Sequence, residues 1–279
     1  MNTADVQDVD LLVIGGGKAG KSLAMDRARA GWSVVMVEPD KIGGTCINVA
    51  CIPTKSLIES ARTVLAARQA AQFGVVADGE PHVDLELLRD HKNGVVDGMV
   101  QAHVQMFRDS GMDFVLGRAT FTGERTALIT TNDGATRLVR GRDVVVNTGT
   151  APTWPDLPGL AQAGVWDTES ILRLERIPDS LLILGGGYVG CEFASMFAAF
   201  GSRVTLLQGG GQLLPREDPD VAEYLARALT EQGVQVHLSA RVTAVHRDDG
   251  VVVADLEDGR RMRGEEMLLA TGRTPVTDH

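Results

Sequence analysis

One pattern occurs twice in this chain and limits its possible folds more than any other feature. In residues 10–38 a short apolar strand is followed by Gly15, Gly17 and Gly20, then by a helical segment and a second apolar strand ending in Glu38. This order is that of a βαβ unit with a G-x-G-x-x-G turn between the first strand and the helix. The sequence therefore predicts an α/β fold with parallel strands.

The residue types of this unit suit a dinucleotide. Glycines allow a tight turn and a close approach of the backbone to a pyrophosphate, and a helix N-terminus offers free N–H groups and the positive end of a dipole. Glu38 can accept hydrogen bonds from ribose hydroxyls. The alternative is a glycine turn that only packs helix on sheet; the terminal acid favours dinucleotide binding.

Residues 181–208 repeat the pattern with Gly185, Gly187, Gly190 and Gln208. Gln208 follows Gly185 by 23 residues, as Glu38 follows Gly15 by 23. Two dinucleotide sites imply two cofactors, and such a chain usually moves electrons between a fixed flavin and an exchanging nicotinamide. The fold class predicted is thus α/β, with two Rossmann-like dinucleotide-binding domains of three-layer βαβ architecture.

The two copies differ at one informative position. Glu38 suits two free ribose hydroxyls, whereas the neutral Gln208 repels a 2′-phosphate less than an acid does. No arginine follows Gln208 directly, since the chain continues with three glycines. The residues lean towards NADPH at the second site but leave NADH open.

The linker between the copies marks a domain boundary. The segment Thr150–Gly159 contains three prolines and reads as a stiff connection. We therefore expect a first dinucleotide-binding domain over 1–150, which carries a pair of cysteines discussed below, and a second over 151–279. Apolar spacing further predicts helices over 56–72, 83–110 and 221–232, strands over 113–116, 119–122, 127–131 and 143–146, and turns at 132–134, 248–250 and 258–259.

Composition excludes several classes of function. A formal net charge of −10 argues against a nucleic-acid partner, because such binding needs basic surface. No apolar run approaches the roughly 20 residues that span a bilayer, so no membrane segment is expected. The acidic first ten residues lack the basic and apolar regions of a secretory signal. A cytoplasmic location is the expectation.

Two of the three cysteines, Cys46 and Cys51, lie in the segment GGTCINVACIPTK. A metal site would need four ligands, and no second pair of cysteines or suitably spaced histidines accompanies them, so we expect no metal. Another possibility is that both cysteines are small buried residues that only pack in the core. A redox-active dithiol fits best, because the two thiols can close a small ring and a nearby helix N-terminus and Lys55 would lower the pKa of a thiolate. Pro53 is tolerated only in a first helical turn, which predicts a helix starting close to Cys51.

This segment resembles the active-site motif of the FAD-dependent pyridine nucleotide–disulfide oxidoreductases, the family of glutathione reductase, dihydrolipoamide dehydrogenase and mercuric reductase. The two cysteines, the preceding Gly-Gly-Thr and the following Pro-Thr-Lys all coincide, while Ala50 stands where many members carry glycine. The similarity extends through both glycine motifs and through the segments at 147–152 and 270–275.

The resemblance implies a role for each matching position. Cys51 would face the flavin, Cys46 would exchange with the substrate, and Lys55 would lie at the flavin ring and pair with Glu192. Tyr188 resembles the aromatic residue over the nicotinamide pocket, a packing role being the alternative, and Cys191 reads as a buried helix residue. The FAD positions implied are Gly15, Gly17, Gly20, Glu38, Gly44, Thr45, Lys55, Ala119, Thr148 and Gly149, and the NAD(P) positions are Gly185, Gly187, Tyr188, Gly190, Gln208, Val242 and Gly272.

Members of this family are longer and end in an interface domain that forms the homodimer and donates an acid–base histidine. The expectation is that this chain is part of a longer protein, the alternative being a natural short form. Three functions follow: an oxidoreductase passing electrons between NAD(P)H, FAD and the cysteine pair to a small-molecule disulfide, dithiol or other thiol-reducible substrate; a nucleotide-binding module with little activity; or a subunit completed by another polypeptide.

Overall fold

The computed structural model describes residues 6–76, 79 and 81–277. Its α-helices are α1 (Lys18–Arg29), α2 (Thr45–Asn48), α3 (Cys51–Gln69), α4 (Leu85–Ser110), α5 (Tyr188–Phe200) and α6 (Pro219–Glu231). Its strands are β1 (Val6–Ile14), β2 (Val34–Glu38), β3 (Asp113–Gly123), β4 (Thr126–Thr131), β5 (Thr136–Val146), β6 (Thr150–Pro152), β7 (Trp166–Asp167), β8 (Ser180–Leu184), β9 (Arg203–Leu207), β10 (Gln235–His237), β11 (Val242–Asp248), β12 (Val251–Leu256), β13 (Arg261–Gly264), β14 (Glu266–Leu269) and β15 (Arg273–Pro275). Short 3₁₀ turns lie at Ala70–Phe73, Leu160–Gln162 and Ser170–Arg173. The predicted α/β class is confirmed.

The chain divides into two compact units. Of the described residues, those up to Pro53, those of Asn93–Ala151 and those from Pro275 onward form the first unit, and Thr54–Lys92 with Pro152–Thr274 form the second. The assignment of 1–150 to FAD and 151–279 to NAD(P) remains a prediction.

The first unit is built on five strands that close into a barrel in the order β1-β2-β3-β4-β5. Strand β1 is parallel to both β2 and β5, and β2 is parallel to β3, which gives the parallel sheet predicted from the glycine motif. Strand β4 joins β3 and β5 antiparallel. Apolar side chains of β1 alternate between two clusters, with Leu12 in one and Val13 in the other, as a strand buried on both faces requires.

Strand β3 is longer than the sequence predicts. Separate strands were expected over 113–116 and 119–122, but the structure has one strand over 113–123. Its first half pairs with β2 and its second half with β4, and the change of partner falls at Gly117. A Cβ on Gly117 would lie 2.4 Å from the carbonyl oxygen of Thr130, so glycine permits this close approach. The two predicted strands are thus one strand whose partner changes at Gly117.

The second unit contains a parallel sheet in the order β10-β9-β8-β14-β7 and a three-stranded antiparallel sheet, β11-β12-β13. The central strand β8 is almost entirely buried, and α5 packs on it through Phe193, Ala194 and Phe197. The predicted turn at 248–250 joins β11 to β12. The helix predicted over 221–232 spans Pro219–Glu231.

Helices α3 and α4 correspond to the helices predicted over 56–72 and 83–110, with shifted ends. Helix α3 starts at Cys51, which confirms the start inferred from Pro53, and it ends at Gln69 before a 3₁₀ turn. Helix α4 starts at Leu85 because the Asp84 carboxylate accepts hydrogen bonds from the backbone of Glu86 and Leu87. The described residues include no helix with both the length and the apolar character needed to cross a membrane.

Candidate active site

The first glycine loop brings backbone against backbone. Gly15 has φ +103°, and a Cβ there would lie 2.1 Å from the carbonyl oxygen of Asn147 at the end of β5. The Asn147 amide donates a hydrogen bond to the Gly15 carbonyl at 3.3 Å. Gly17 caps α1 without a side-chain hydrogen bond, and Gly20 lies in its first turn. The N–H groups at this helix end are therefore available to an anion such as a pyrophosphate.

Glu38 fastens this loop at the end of β2. Its buried carboxylate accepts a hydrogen bond from the Gly16 N–H at 2.7 Å through Oε2. Oε1 accepts from the N–H groups of Lys41 at 3.0 Å and Asp40 at 3.3 Å. The predicted ribose-binding acid thus also holds the backbone of the loop in place.

The cysteine segment packs directly on the same loop. Gly44 has φ +78°, and a Cβ there would lie 2.6 Å from the Cα of Gly17. Gly44 also caps the short helix α2, which begins at Thr45 and carries Cys46. The structure therefore brings Gly44 to the glycine loop, while the Thr45 hydroxyl lies 4.0 Å from a Cβ built on Gly149; their role at a cofactor stays a prediction.

The two thiols lie together. Cys46 is half-buried and Cys51 is exposed, and both are free. Burial and, next, the hydrogen bond with the Cys51 side chain raise the pKa of Cys46, while the charges of Lys21 and Lys18 lower it. The cations that act on Cys46 are thus two lysines of α1, whereas the sequence pointed to Lys55. Burial and Cys51 outweigh these two lysines, so the pKa of Cys46 is raised.

Lys55 and Glu192 form an ion pair within the second unit, between α3 and α5. Their side chains are 59% and 32% exposed, respectively. The structure thus pairs Lys55 with Glu192, as the family resemblance implies.

The second glycine loop repeats the first in detail. Gly185 has φ +113°, and a Cβ there would lie 2.4 Å from the carbonyl oxygen of Ala270. Gly187 caps α5, again without a side-chain hydrogen bond, and Gly190 lies in the first turn. The half-buried Gln208 accepts a hydrogen bond from the Gly186 N–H at 3.0 Å, as Glu38 does from Gly16. An amide and a carboxylate therefore perform the same structural role.

Tyr188 is 56% exposed at the start of α5, and its hydroxyl donates to Glu217. That hydrogen bond raises the pKa of the phenol. Val242 is buried in an apolar cluster of the second unit and pairs with Leu256 of β12. The N–H of Thr153 is bonded to the Gly272 carbonyl at 2.9 Å.

Of the remaining positions of the first unit, Thr148 and Gly149 follow the end of β5, and Ala119 lies in β3. The Thr148 hydroxyl donates to the Val276 carbonyl at 2.6 Å, and the Gly149 carbonyl accepts from the Val276 N–H at 3.0 Å. Ala119 is half-buried in β3, opposite Ile129. Asn147, next to Thr148, contacts the glycine loop but was missed; its signal is its place after a strand adjacent to β1.

The described residues thus contain two glycine loops of the same geometry and a pair of neighbouring thiols, and comparison with known proteins identifies the family. The family model described as pyridine nucleotide-disulphide oxidoreductase matches residues 9–279, so the chain belongs to this family. Its members use FAD and NAD(P)H.

The chain is similar to several characterised relatives. It is 37% identical to the dihydrolipoyl dehydrogenase of Bacillus subtilis over 96% of this chain and 59% of the relative. It is 36% identical to the mercuric reductase of Streptomyces lividans over 96% of this chain and 57% of the relative. The structure of the HOCl-induced flavoprotein disulfide reductase RclA from Escherichia coli, as a Cu(II) complex, matches with a TM-score of 0.85 and 35% identity over 98% of this chain and 58% of that one. The chain thus spans less than three fifths of the length of these proteins.

Proposed function

We propose that this chain carries the nucleotide sites and the dithiol of a flavoprotein disulfide oxidoreductase. The observation that supports this best is the pair of free thiols, Cys46 in α2 and Cys51 at the start of α3, on a segment whose Gly44 packs against Gly17 of the first glycine loop. A thiol pair next to a pyrophosphate-type loop joins the two parts that this chemistry needs.

FAD fits the first loop. Gly15, Gly17 and Gly20 leave the backbone open, the start of α1 has uncapped N–H groups for the pyrophosphate, and Glu38 retains acceptor capacity for ribose hydroxyls. We propose that Gly44, Thr45, Ala119, Thr148, Gly149 and Lys55 complete this site. When bound, FAD accepts electrons from a reduced nicotinamide and delivers them to a disulfide.

The second loop fits a nicotinamide dinucleotide in the same way. We propose that Gly185, Gly187 and Gly190 surround the pyrophosphate, that Gln208 contacts the ribose, and that Val242 and Gly272 contribute backbone. We propose that Tyr188, which is exposed at the start of α5, covers the nicotinamide. Gln208 favours NADPH because it adds no negative charge next to a 2′-phosphate.

The cysteine pair supplies the exchange chemistry. We propose that Cys51 faces the flavin and that Cys46 attacks or releases the substrate sulfur, so that the pair alternates between a disulfide and a dithiol. A thiolate is the nucleophile in such exchange. We propose that Lys55, paired with Glu192, places its ammonium at the flavin ring.

The whole protein's substrate and assembly extend this proposal. We propose a small-molecule disulfide, dithiol or other thiol-reducible compound as substrate, a homodimer for the full-length protein, and a cytoplasmic location. The family match supports the substrate class and the homodimer.

The test is a visible spectrum of the purified chain with matched variants. We expect flavin absorbance, and a long-wavelength shoulder when NADPH is added without oxygen. Cys51→Ser should abolish the shoulder, whereas the control Cys46→Ser should keep it, because the remaining Cys51 thiolate still faces the flavin. A colourless chain that binds NADPH would favour the nucleotide-binding module instead, and a shoulder that survives Cys51→Ser would contradict the assigned roles.

A further inference from the structure

A buried lysine lies below the cysteine segment. The side chain of Lys21, in α1, is only 6% exposed. Its ammonium donates to His103 Nε2 at 2.7 Å and to the Gly43 carbonyl at 3.3 Å. His103 Nδ1 lies 2.7 Å from the Met99 carbonyl, which can only accept, so Nδ1 carries the proton and Nε2 is free to accept from Lys21. The lysine is therefore fixed beneath the loop that carries Cys46.

This lysine has no carboxylate partner among the described residues. Buried ammonium groups are normally paired with an anion, because an unpaired buried charge is costly. The charged groups that act on Lys21 are Cys46 and Lys18, and Cys46 is the one of the two that can become an anion. Burial lowers the pKa of Lys21, and interaction with Cys46 raises it. An ammonium has three donors, and the two hydrogen bonds above leave one of them.

We propose that Lys21, held by His103 and the Gly43 carbonyl, is the counter-ion of the Cys46 thiolate and thereby stabilises the reduced form of the Cys46–Cys51 pair. Lys21 is a positioning residue that acts through Cys46. The inference rests on the proposed redox role of the cysteine pair.

The charge of Lys21 affects the redox balance. A dithiol reagent reduces the pair by giving two electrons to the Cys46–Cys51 bond and forming its own disulfide. Each of the reagent's two protons is taken up by a thiol of the pair or released to solvent, as the pH sets, and the ammonium of Lys21 favours the reduced form in which Cys46 has released its proton. Stabilising a thiolate in this way favours the reduced protein. Removing the ammonium should therefore make the disulfide harder to reduce.

The first measurement is the pH profile of Cys46 alkylation by iodoacetamide in the reduced Cys51→Ser chain, read by peptide mass spectrometry. The groups that act on Cys46 in the parent chain are Cys51, Lys21 and Lys18. Lys21→Met should lower the thiolate fraction of Cys46 at a fixed pH about tenfold, as expected for losing one buried counter-ion. Lys21→Arg should restore it, and Lys21→Gln replaces Lys21→Met if the methionine variant does not fold.

Lys18→Met is the matched control, because it removes the same charge from an exposed neighbouring residue that also acts on Cys46. Water screens that charge, so the thiolate fraction should change less than about threefold. Equal profiles for the parent and Lys21→Met would overturn the inference, as would equal losses in the Lys18 and Lys21 variants.

The second measurement is the fraction of reduced Cys46–Cys51 pair in mixtures of reduced and oxidised dithiothreitol. At a pH at which the alkylation profile shows Cys46 of the parent chain ionised, Lys21→Met should lower the equilibrium constant for reduction by up to about tenfold, in line with the lost thiolate. An unchanged equilibrium constant would contradict the role of Lys21 but not the proposed function. Failure of the parent chain to form the disulfide at all would contradict the proposed function instead, while the alkylation profile would still report on Lys21.

Discussion

Replacing Glu38 by alanine tests whether this residue holds the first glycine loop independently of any ligand. The carboxylate accepts three backbone hydrogen bonds, from Gly16, Asp40 and Lys41. The Gly16 bond is buried, whereas the other two lie nearer the surface and can be replaced by water. Alanine thus leaves one buried N–H without an acceptor.

The expected loss follows from that single donor. A buried unsatisfied backbone N–H costs about 1–3 kcal/mol, and the two outer bonds add little. For a cooperative unit of this size, 1 kcal/mol corresponds to roughly 2–4 °C in Tm. The flavin-free Glu38→Ala chain should therefore melt roughly 2–12 °C below the parent in a circular dichroism experiment.

Glu38→Gln is the matched control that the chain itself suggests. Gln208 makes the equivalent bond to Gly186 at 3.0 Å, so glutamine in place of Glu38 should keep most of the stability while removing the charge. An unchanged Tm for Glu38→Ala would show that the bond contributes nothing to stability. A Glu38→Gln chain that melts as low as Glu38→Ala would show that the charge matters rather than the acceptor.

Three further predictions concern the second unit. Glu192→Gln should change the free energy of unfolding by less than about 1 kcal/mol, because its ion pair with Lys55 is largely exposed, but should slow flavin reduction by NADPH; a large stability loss in urea would contradict this. Gln208→Glu should shift the ratio of NADPH to NADH Kd values about tenfold towards NADH, measured by titration, and an unchanged ratio would assign the preference elsewhere. Burial raises the pKa of Cys191 to about 11, so its protonated form stabilises the fold by about 2–3 kcal/mol at low pH, and this contribution is lost as pH rises from about 9 to about 11. The Cys191→Ala chain should lack that loss in urea unfolding at alkaline pH.

The sequence predicted the parts of the fold that depend on local pattern. The βαβ order, the start of α3 near Pro53 and the turn at 248–250 all rest on neighbouring residues, and the structure confirms them. The continuity of β3 depends instead on a change of partner strand at Gly117. A glycine inside a strand reads locally as a break, and only the identity of its partners shows that the strand continues.

The candidate site likewise contains residues that are close in sequence and residues that only folding brings together. Cys46 and Cys51 are close in sequence and could be named as a pair from their spacing. Lys21 and His103 lie 82 residues apart, and they meet because α1 and the end of α4 pack in one unit. No periodicity links two such positions, so the buried cation below Cys46 emerges only from tertiary packing. Asn147 was missed for the same reason, since its contact with Gly15 spans 132 residues.

The residue at the end of the second strand of each βαβ pattern explains why a preference for NADH or NADPH is hard to derive from residue type. Glu38 and Gln208 both accept a hydrogen bond from the middle N–H of their glycine loop, at 2.7 and 3.0 Å. The position therefore requires an acceptor for folding before any ligand binds, and both acid and amide satisfy that requirement. What separates them is the charge left for the ribose, so the preference has to be measured as a difference in binding between two nucleotides whose complexes share the same loop.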